Sequence, residues 1–236
     1  MVAFDLAGMG DSEMRGVADI AARGKEFVEI SEALDLFADG SRPTIIAHSF
    51  GSGAALTAVS QSPDAFAGVI VCDLMVMRPE KLEKYWTMGR SSPGSGNPDK
   101  PVRRYPTYEA ARERYILSPP QAVGEPFLMD YMAYHSLRRD GEEWTWKFSP
   151  EVFRRSNKPD EWLTVGQRLV DAPGRKAIVY GEKSQLFDRD SARYIRELGG
   201  GKIPIVAVPD ARHHLMLDQP LAFVAALRAV LAFWSL

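Results

Sequence analysis

Apolar and polar positions alternate in three different ways along this chain, and the changes divide it. Apolar residues recur at helical spacing from about Lys25 to Phe37, through Phe27, Ile30, Leu34 and Phe37. That pattern predicts an amphipathic helix, stopped by Asp39-Gly40-Ser41. Pro43 to His48 then predicts a strand, and Gly51 to Gln61 a helix ended by Pro63-Asp64. Gly68 to Asp73 is apolar until its last position, so it predicts a strand buried on both faces. Continuous rather than alternating apolar strands point to a parallel sheet covered by helices. The pattern resumes late in the chain. Strand Arg175 to Tyr180, a helix from about Arg189 to Leu198, strand Ile203 to Val208 and a helix from about Gln219 to Phe233 are expected there.

Between Leu74 and Ala172 the regular alternation stops. Arg90 to Pro106 is rich in Pro, Gly, Ser and Asn and predicts a long exposed loop. Helices are expected at roughly Thr107 to Leu117, Pro126 to Arg138 and Pro159 to Val170. Four of the five Trp lie in this segment (Trp86, Trp144, Trp146 and Trp162), with Met75, Met77, Met88, Met129 and Met132. Such a segment can be a lid over an apolar pocket, or a small helical subdomain that uses these residues for its own core. The expected division is a core of residues 1–74 and 173–236, with a lid or cap insertion over 75–172.

Composition narrows the function classes. The 236 residues suffice for one large α/β domain with an insertion. Lys plus Arg is 29 and Asp plus Glu is 31, a net charge of −2, which argues against a nucleic-acid partner. The single Cys72 lies in an apolar run, so neither a disulfide framework nor a Cys-rich metal site is available. No charged-then-apolar leader opens the chain, and the most apolar stretch, Leu221 to Leu236, contains Arg228 and is short for a membrane span. A cytoplasmic protein without a membrane partner is the default expectation.

Ala47-His48-Ser49-Phe50-Gly51 reads as small-x-Ser-x-Gly between a strand and a helix. A Ser on such a turn is held at the carboxyl edge of a sheet, and the helix that follows aims its N-terminal amides at what the hydroxyl attacks. A Ser nucleophile needs a base, usually His. Of the four His, His48 belongs to the turn itself and His135 lies in the insertion. His213 and His214 follow strand Ile203 to Val208, on the same sheet edge as Ser49 if all strands are parallel. His213 is the candidate base, with His214 in reserve. A metal hydrolase is disfavoured, because the adjacent His pair lacks carboxylate–His spacing. No glycine-rich phosphate loop occurs either, so neither a metal nor a cofactor is expected.

Three motifs in order now carry a resemblance: Asp5-x-x-Gly8-x-Gly10-x-Ser12, the Ser49 turn, and Ala211-Arg212-His213-His214-Leu215-Met216-Leu217-Asp218-Gln219-Pro220. With the insertion between them, the chain resembles the lid-bearing members of the α/β-hydrolase superfamily. The resemblance implies an α/β fold: a mostly parallel sheet with flanking helices and a helical lid insertion. It implies Ser49 as nucleophile, His213 as base and the Phe50 N–H as one oxyanion donor. A Ser nucleophile disfavours the haloalkane-dehalogenase and epoxide-hydrolase branches. It favours hydrolysis of a small ester, thioester, amide or carbon–carbon carbonyl substrate through an acyl-enzyme.

The chain departs from the family pattern in three places. Ala47 replaces the usual Gly. The Asp that commonly follows the strand equivalent to Arg175–Tyr180 is absent, since Gly181-Glu182-Lys183-Ser184-Gln185 stands there. Asp73, closing the buried strand after the nucleophile helix, is the first candidate for the acid. Asp188 is the second, and a Ser–His dyad with no acid is the third. Finally, the sequence begins at what would be the family's fourth strand, as if N-terminally truncated. The loop carrying the second oxyanion donor is then missing, and Val2 to Asp5 is left without a regular neighbour. A catalytically impaired or non-catalytic small-molecule-binding relative is therefore the competing expectation. An exposed sheet edge at that end would promote association into a homodimer.

Overall fold

A computed structural model describes residues 1–16, 19–87, 102–153 and 162–235. Most of the expected Arg90–Pro106 loop and the start of the expected Pro159–Val170 helix lie outside those residues. The core is a four-stranded parallel sheet in the order β1 (Thr44–His48), β2 (Gly68–Cys72), β6 (Arg175–Gly181), β7 (Ile205–Val208). Its register runs Thr44 against Gly68, Gly68 against Arg175 and Ile178 against Ile205. Four parallel strands in register present all their carboxyl ends on one edge. Every residue of β2 is buried, as its unbroken apolar run requires.

Helices cover both faces. On one face α2 (Phe50–Gln61), α6 (Val165–Asp171) and α7 (Arg189–Gly199) pack Leu56, Val59, Leu169 and Ile195 on Val69, Val71 and Ile178. On the other, α9 (Pro220–Trp234) and the short α8 (Leu215–Asp218) pack Leu215, Val230 and Trp234 on Ile70, Cys72, Ala177 and Val179. The Cys72 thiol is fully buried, and burial pushes its pKa up to about 12, which makes it an inert core group. Helix α1 (Ile20–Ala33) lies on α2, and a Cβ at Gly24 would meet Thr57 Cγ2 at 2.7 Å and Ala58 N at 3.1 Å. That close approach is what glycine permits. The helix starts five residues before the expected Lys25, because Asp19 caps it by accepting from Ala22 N at 2.7 Å.

Residues 1–6 form no strand, so the fourth strand implied by the resemblance is not built. The sheet has no internal gap: β1 pairs with β2 and is an edge strand, with Ile46 40% exposed. Between β2 and β6, α4 (Tyr108–Arg112) and α5 (Pro126–Ser136) fall within two of the expected helices, and α3 (Pro79–Thr87) is a helix that was not expected. An unexpected three-stranded antiparallel sheet accompanies them: β3 (Arg104–Tyr105), β5 (Glu143–Trp146) and β4 (Leu137–Asp140). Gly141, at φ +68°, opens the two-residue turn that joins β4 to β5. Among the described residues no helix is long and apolar enough to cross a membrane.

Candidate active site

Ser49 sits between β1 and α2 at φ +50° and ψ −119°. This is a strained conformation for a residue with a Cβ. Its amide donates to Cys72 O at 2.9 Å, which ties the turn to the end of β2. Asp73, the next residue on that strand, also has a positive φ, of +47°, and its amide donates to Val179 O at 2.9 Å. Two successive strands thus end in side chains that leave the sheet at one edge, each against a backbone preference. Phe50 is the first residue of α2, so its amide has no partner within the helix. A Cβ on Gly51 would meet only Ala47 Cβ, at 3.9 Å, which explains why Ala47 fits in place of Gly.

His213 is brought to the same edge by the loop after β7, and it is 3% exposed. Its Nδ1 lies 3.0 Å from Asp73 Oδ1. Asp73 is fully buried and also accepts from Gly181 N at 2.8 Å and from Ser184 Oγ at 2.6 Å. Together these three contacts fix which way the carboxylate faces. Gly181 is required for this arrangement, because a Cβ there would lie 2.3 Å from Arg212 O and 2.5 Å from Ala211 O. The loop carrying His213 is held from below by Asp218, whose Oδ2 accepts from Arg212 N at 2.7 Å.

The other candidates are placed differently. Asp188 caps α7, accepting from Ser191 N at 2.9 Å, and pairs with Lys81. It does not reach His213 among the described hydrogen bonds. His214 follows His213, but its Nε2 is sealed and has no hydrogen-bond partner among the described residues. Burial, then the neighbouring His213, lower its pKa to about 4. His48 Nε2 donates to His213 O at 2.8 Å. Burial, then His213, lower the His48 pKa to about 3. The three rings stack into a triangle, with centroids 4.6 Å apart for His48 and His213, 4.8 Å for His213 and His214, and 5.6 Å for His48 and His214. Ser49 Oγ makes no hydrogen bond to His213 among the described residues.

Three supporting residues escaped the sequence reading. Ser184 lies in the turn after β6, where the resemblance led us to look for an Asp, and it donates to Asp73. Asp218 was part of the His213 motif without an assigned role. Arg23 is fully buried with its guanidinium carbon 5.2 Å from the Phe50 ring centroid, and desolvation lowers its pKa against the pull of Glu26. A buried cation beside the residue after Ser49 could not be found from a single Arg in a helix.

The insertion reaches the site along two lines. Gln121 Oε1 accepts from His214 N at 2.9 Å, and Glu125 N donates to Leu217 O at 3.2 Å. On the other side Ser149 N donates to Gly8 O at 2.7 Å, and Lys147 pairs with Asp11 at 2.6 Å. A cleft of about 290 Å³ opens between that tether and the N-terminal loop, lined by Gly8, Asp11, Met14, Arg138, Trp146 and Phe148. A larger hollow of about 760 Å³ lies at the amino ends of the strands, around Gly174, Arg175 and Pro204, on the far side of the sheet from Ser49.

A family model described as the alpha/beta hydrolase family matches residues 1–227. The chain belongs to that family. Solved alpha/beta hydrolase structures resemble it in fold. An E-2-(acetamidomethylene)succinate hydrolase superposes with a TM-score of 0.71 at 17% identity, covering 98% of this chain and 80% of that one. An esterase, Rv0045c, from Mycobacterium tuberculosis gives 0.70 at 18% identity, over 97% of this chain and 73% of that one. The thioesterase domain from the curacin biosynthetic pathway gives 0.63 at 17% identity, over 96% and 78%. At these identities the alpha/beta hydrolase likeness extends to the fold alone. No curated protein matches the chain in sequence.

Proposed function

We propose that this alpha/beta hydrolase is a serine hydrolase that cleaves a small ester, thioester, amide or carbon–carbon carbonyl substrate through an acyl-enzyme. The observation that carries the reading is the His213–Asp73 pair, 3.0 Å apart, at the strand edge that also presents Ser49. Ser49 Oγ attacks the carbonyl carbon while His213 Nε2 takes its proton. Asp73 keeps the His213 hydrogen on Nδ1 and stabilises the imidazolium that forms. The Phe50 N–H, at the positive end of α2, donates to the oxyanion. Collapse expels the leaving group, which His213 protonates. Water, deprotonated by His213, then releases the acid and restores Ser49.

In this reading residues 75–172 form a cap that sets which small molecule enters, over a core of residues 1–74 and 173–236. The two tethers to the Gly8 and His214 loops support that role. No cofactor is required, and the reaction suits a cytoplasmic enzyme. One observation favours the competing reading, a binding protein that no longer turns over: Ser49 is not engaged by His213. Long or unmade catalytic hydrogen bonds are, however, ordinary before substrate arrives. A fluorophosphonate probe separates the two. Covalent labelling of the wild type, lost in Ser49→Ala, is the expected result. A folded wild type that takes up no probe would mean Ser49 is not activated.

A further inference from the structure

Three imidazoles packed together at a sheet edge are more than one proton-transfer step requires. Only His213 has work in the proposed hydrolysis. We propose that His48, His213 and His214 form a binding site for one divalent transition-metal ion of the zinc type, and that the bound ion holds the hydrolytic site off. The first clause stands on geometry alone; the second rests on the hydrolase reading.

One ring nitrogen from each His lies within 4.8 Å of those of the other two. In a tetrahedral site with Zn–N near 2.0–2.1 Å, neighbouring nitrogens are about 3.4 Å apart. To hold an ion, the three nitrogens would close from separations of up to 4.8 Å to about that spacing. His213 spends Nδ1 on Asp73, leaving its Nε2 lone pair to face outward. A carboxylate behind a ligating imidazole is the outer support that metal-binding His residues commonly have. His214 is the more telling member. Among the described residues its Nε2 has no hydrogen-bond partner, although burying a polar atom unpaired is costly. Hydrogen bonding of its ring to the backbone of Pro119 and Ser118 favours the hydrogen on Nδ1 and the lone pair on Nε2. An ion is a partner that this orphaned nitrogen can take.

His48 completes the set, with its Nε2 hydrogen on His213 O and its lone pair therefore on Nδ1. His48 and His214 are half-buried as residues, although the His214 Nε2 is itself sealed. Imidazole donors suit Zn²⁺, Co²⁺, Ni²⁺ and Cu²⁺, whereas Mg²⁺ and Ca²⁺ need oxygen ligands that this cluster does not offer. The switch follows from electron counting. His213 has one lone pair at Nε2. Donated to a metal, it cannot accept the Ser49 proton, and no covalent bond need form or break for the block to lift.

The test uses full-length protein without a His tag, in the wild type and in Ser49→Ala, which retains all three imidazoles. Titration with Zn²⁺ by calorimetry and with Co²⁺ by visible absorption should show one ion bound per chain in both proteins. The dissociation constant should be below about 100 μM. Mg²⁺ should give no signal. His48→Gln and His214→Gln should each weaken binding at least about tenfold. Absence of Zn²⁺ and Co²⁺ binding at 1 mM would overturn the site, and so would unchanged binding in both His variants. For the switch, Zn²⁺ should suppress fluorophosphonate labelling of wild-type Ser49, and a chelator should restore it. Labelling unaffected by saturating Zn²⁺ would overturn the switch. If the apo wild type never labels, it is the hydrolase reading that fails, and the metal titrations still decide the site.

Discussion

The core sheet and the insertion of this chain are held together by different physics. In the core, aliphatic side chains at or near zero exposure interlock across β2 and β6, among them Val69, Ile70, Val71, Ile178 and Val179. In the insertion a few aliphatic side chains such as Leu137 and Val152 are buried, and around them aromatic edges meet: Tyr108 with Trp144 at 5.3 Å and Tyr134 at 5.9 Å, and Trp146 with Tyr105 at 6.0 Å. Exposed ion pairs join them, Arg104 with Asp140 and Arg112 with Asp130. Phe127, Tyr131 and Tyr134 stay largely exposed. Exposed pairs contribute little, whereas each fully buried aliphatic side chain contributes about 1.5–3 kcal/mol. The difference implies a rigid edge that positions Ser49, Asp73 and His213, and an insertion that can loosen without unfolding it.

The largest expected effect lies on the rigid side. Asp73→Asn should lower turnover on the order of 10²–10⁴-fold, through loss of the correct His213 tautomer. Asp188→Asn should leave turnover within about threefold of wild type, since its partners are Ser191 and Lys81. Steady-state rates on a generic ester report both, and equal losses would unseat Asp73 as the acid. Next comes stability. Leu56→Ala, at 1% exposure, should destabilise the protein by about 2–5 kcal/mol in urea unfolding. Tyr108→Ala should change that midpoint by about 1 kcal/mol or less while speeding proteolysis within residues 102–153. If both variants shift the global transition alike, the insertion and core are one cooperative unit.

The smallest effect concerns pH. Folded His48 and His214 titrate near 3 and 4, below the ordinary value of 6.5. Above about pH 6.5 both rings are neutral, folded or unfolded, and their contribution is fully present. As pH falls below 6.5 the unfolded chain gains protons that the folded one refuses, so stability is lost down to about pH 3–4. His48→Gln should flatten the fall in urea midpoint between pH 6.5 and 4. A slope unchanged by the substitution would show that this ring is protonated in the fold.

The same contrast explains what could be read from sequence. Strands β1, β2 and β6 and helices α2, α7 and α9 were legible because one periodicity matched one buried face. The contact between Asp73 and His213 was legible because a lone carboxylate ending a buried strand needs a partner. The β4–β5 hairpin was missed although Asp140-Gly141 is a turn signal, because Arg138, Arg139 and Glu143 on its strands resemble a helix end. Ser184 was missed because a Ser in a turn is common and its partner lies 111 residues away. The imidazole cluster depends on a contact spanning 165 residues, which no local pattern encodes.

The Ser184–Asp73 hydrogen bond carries a consequence for the placement of charge. With Ser184 Oγ 2.6 Å from the carboxylate that orients His213, the two neighbouring strands offer two addresses for one negative charge. A carboxylate at position 184 could reach nearly the same point in space as one at position 73. The ends of β2 and β6 thus converge on one buried spot, where a negative charge entering from either side would face His213.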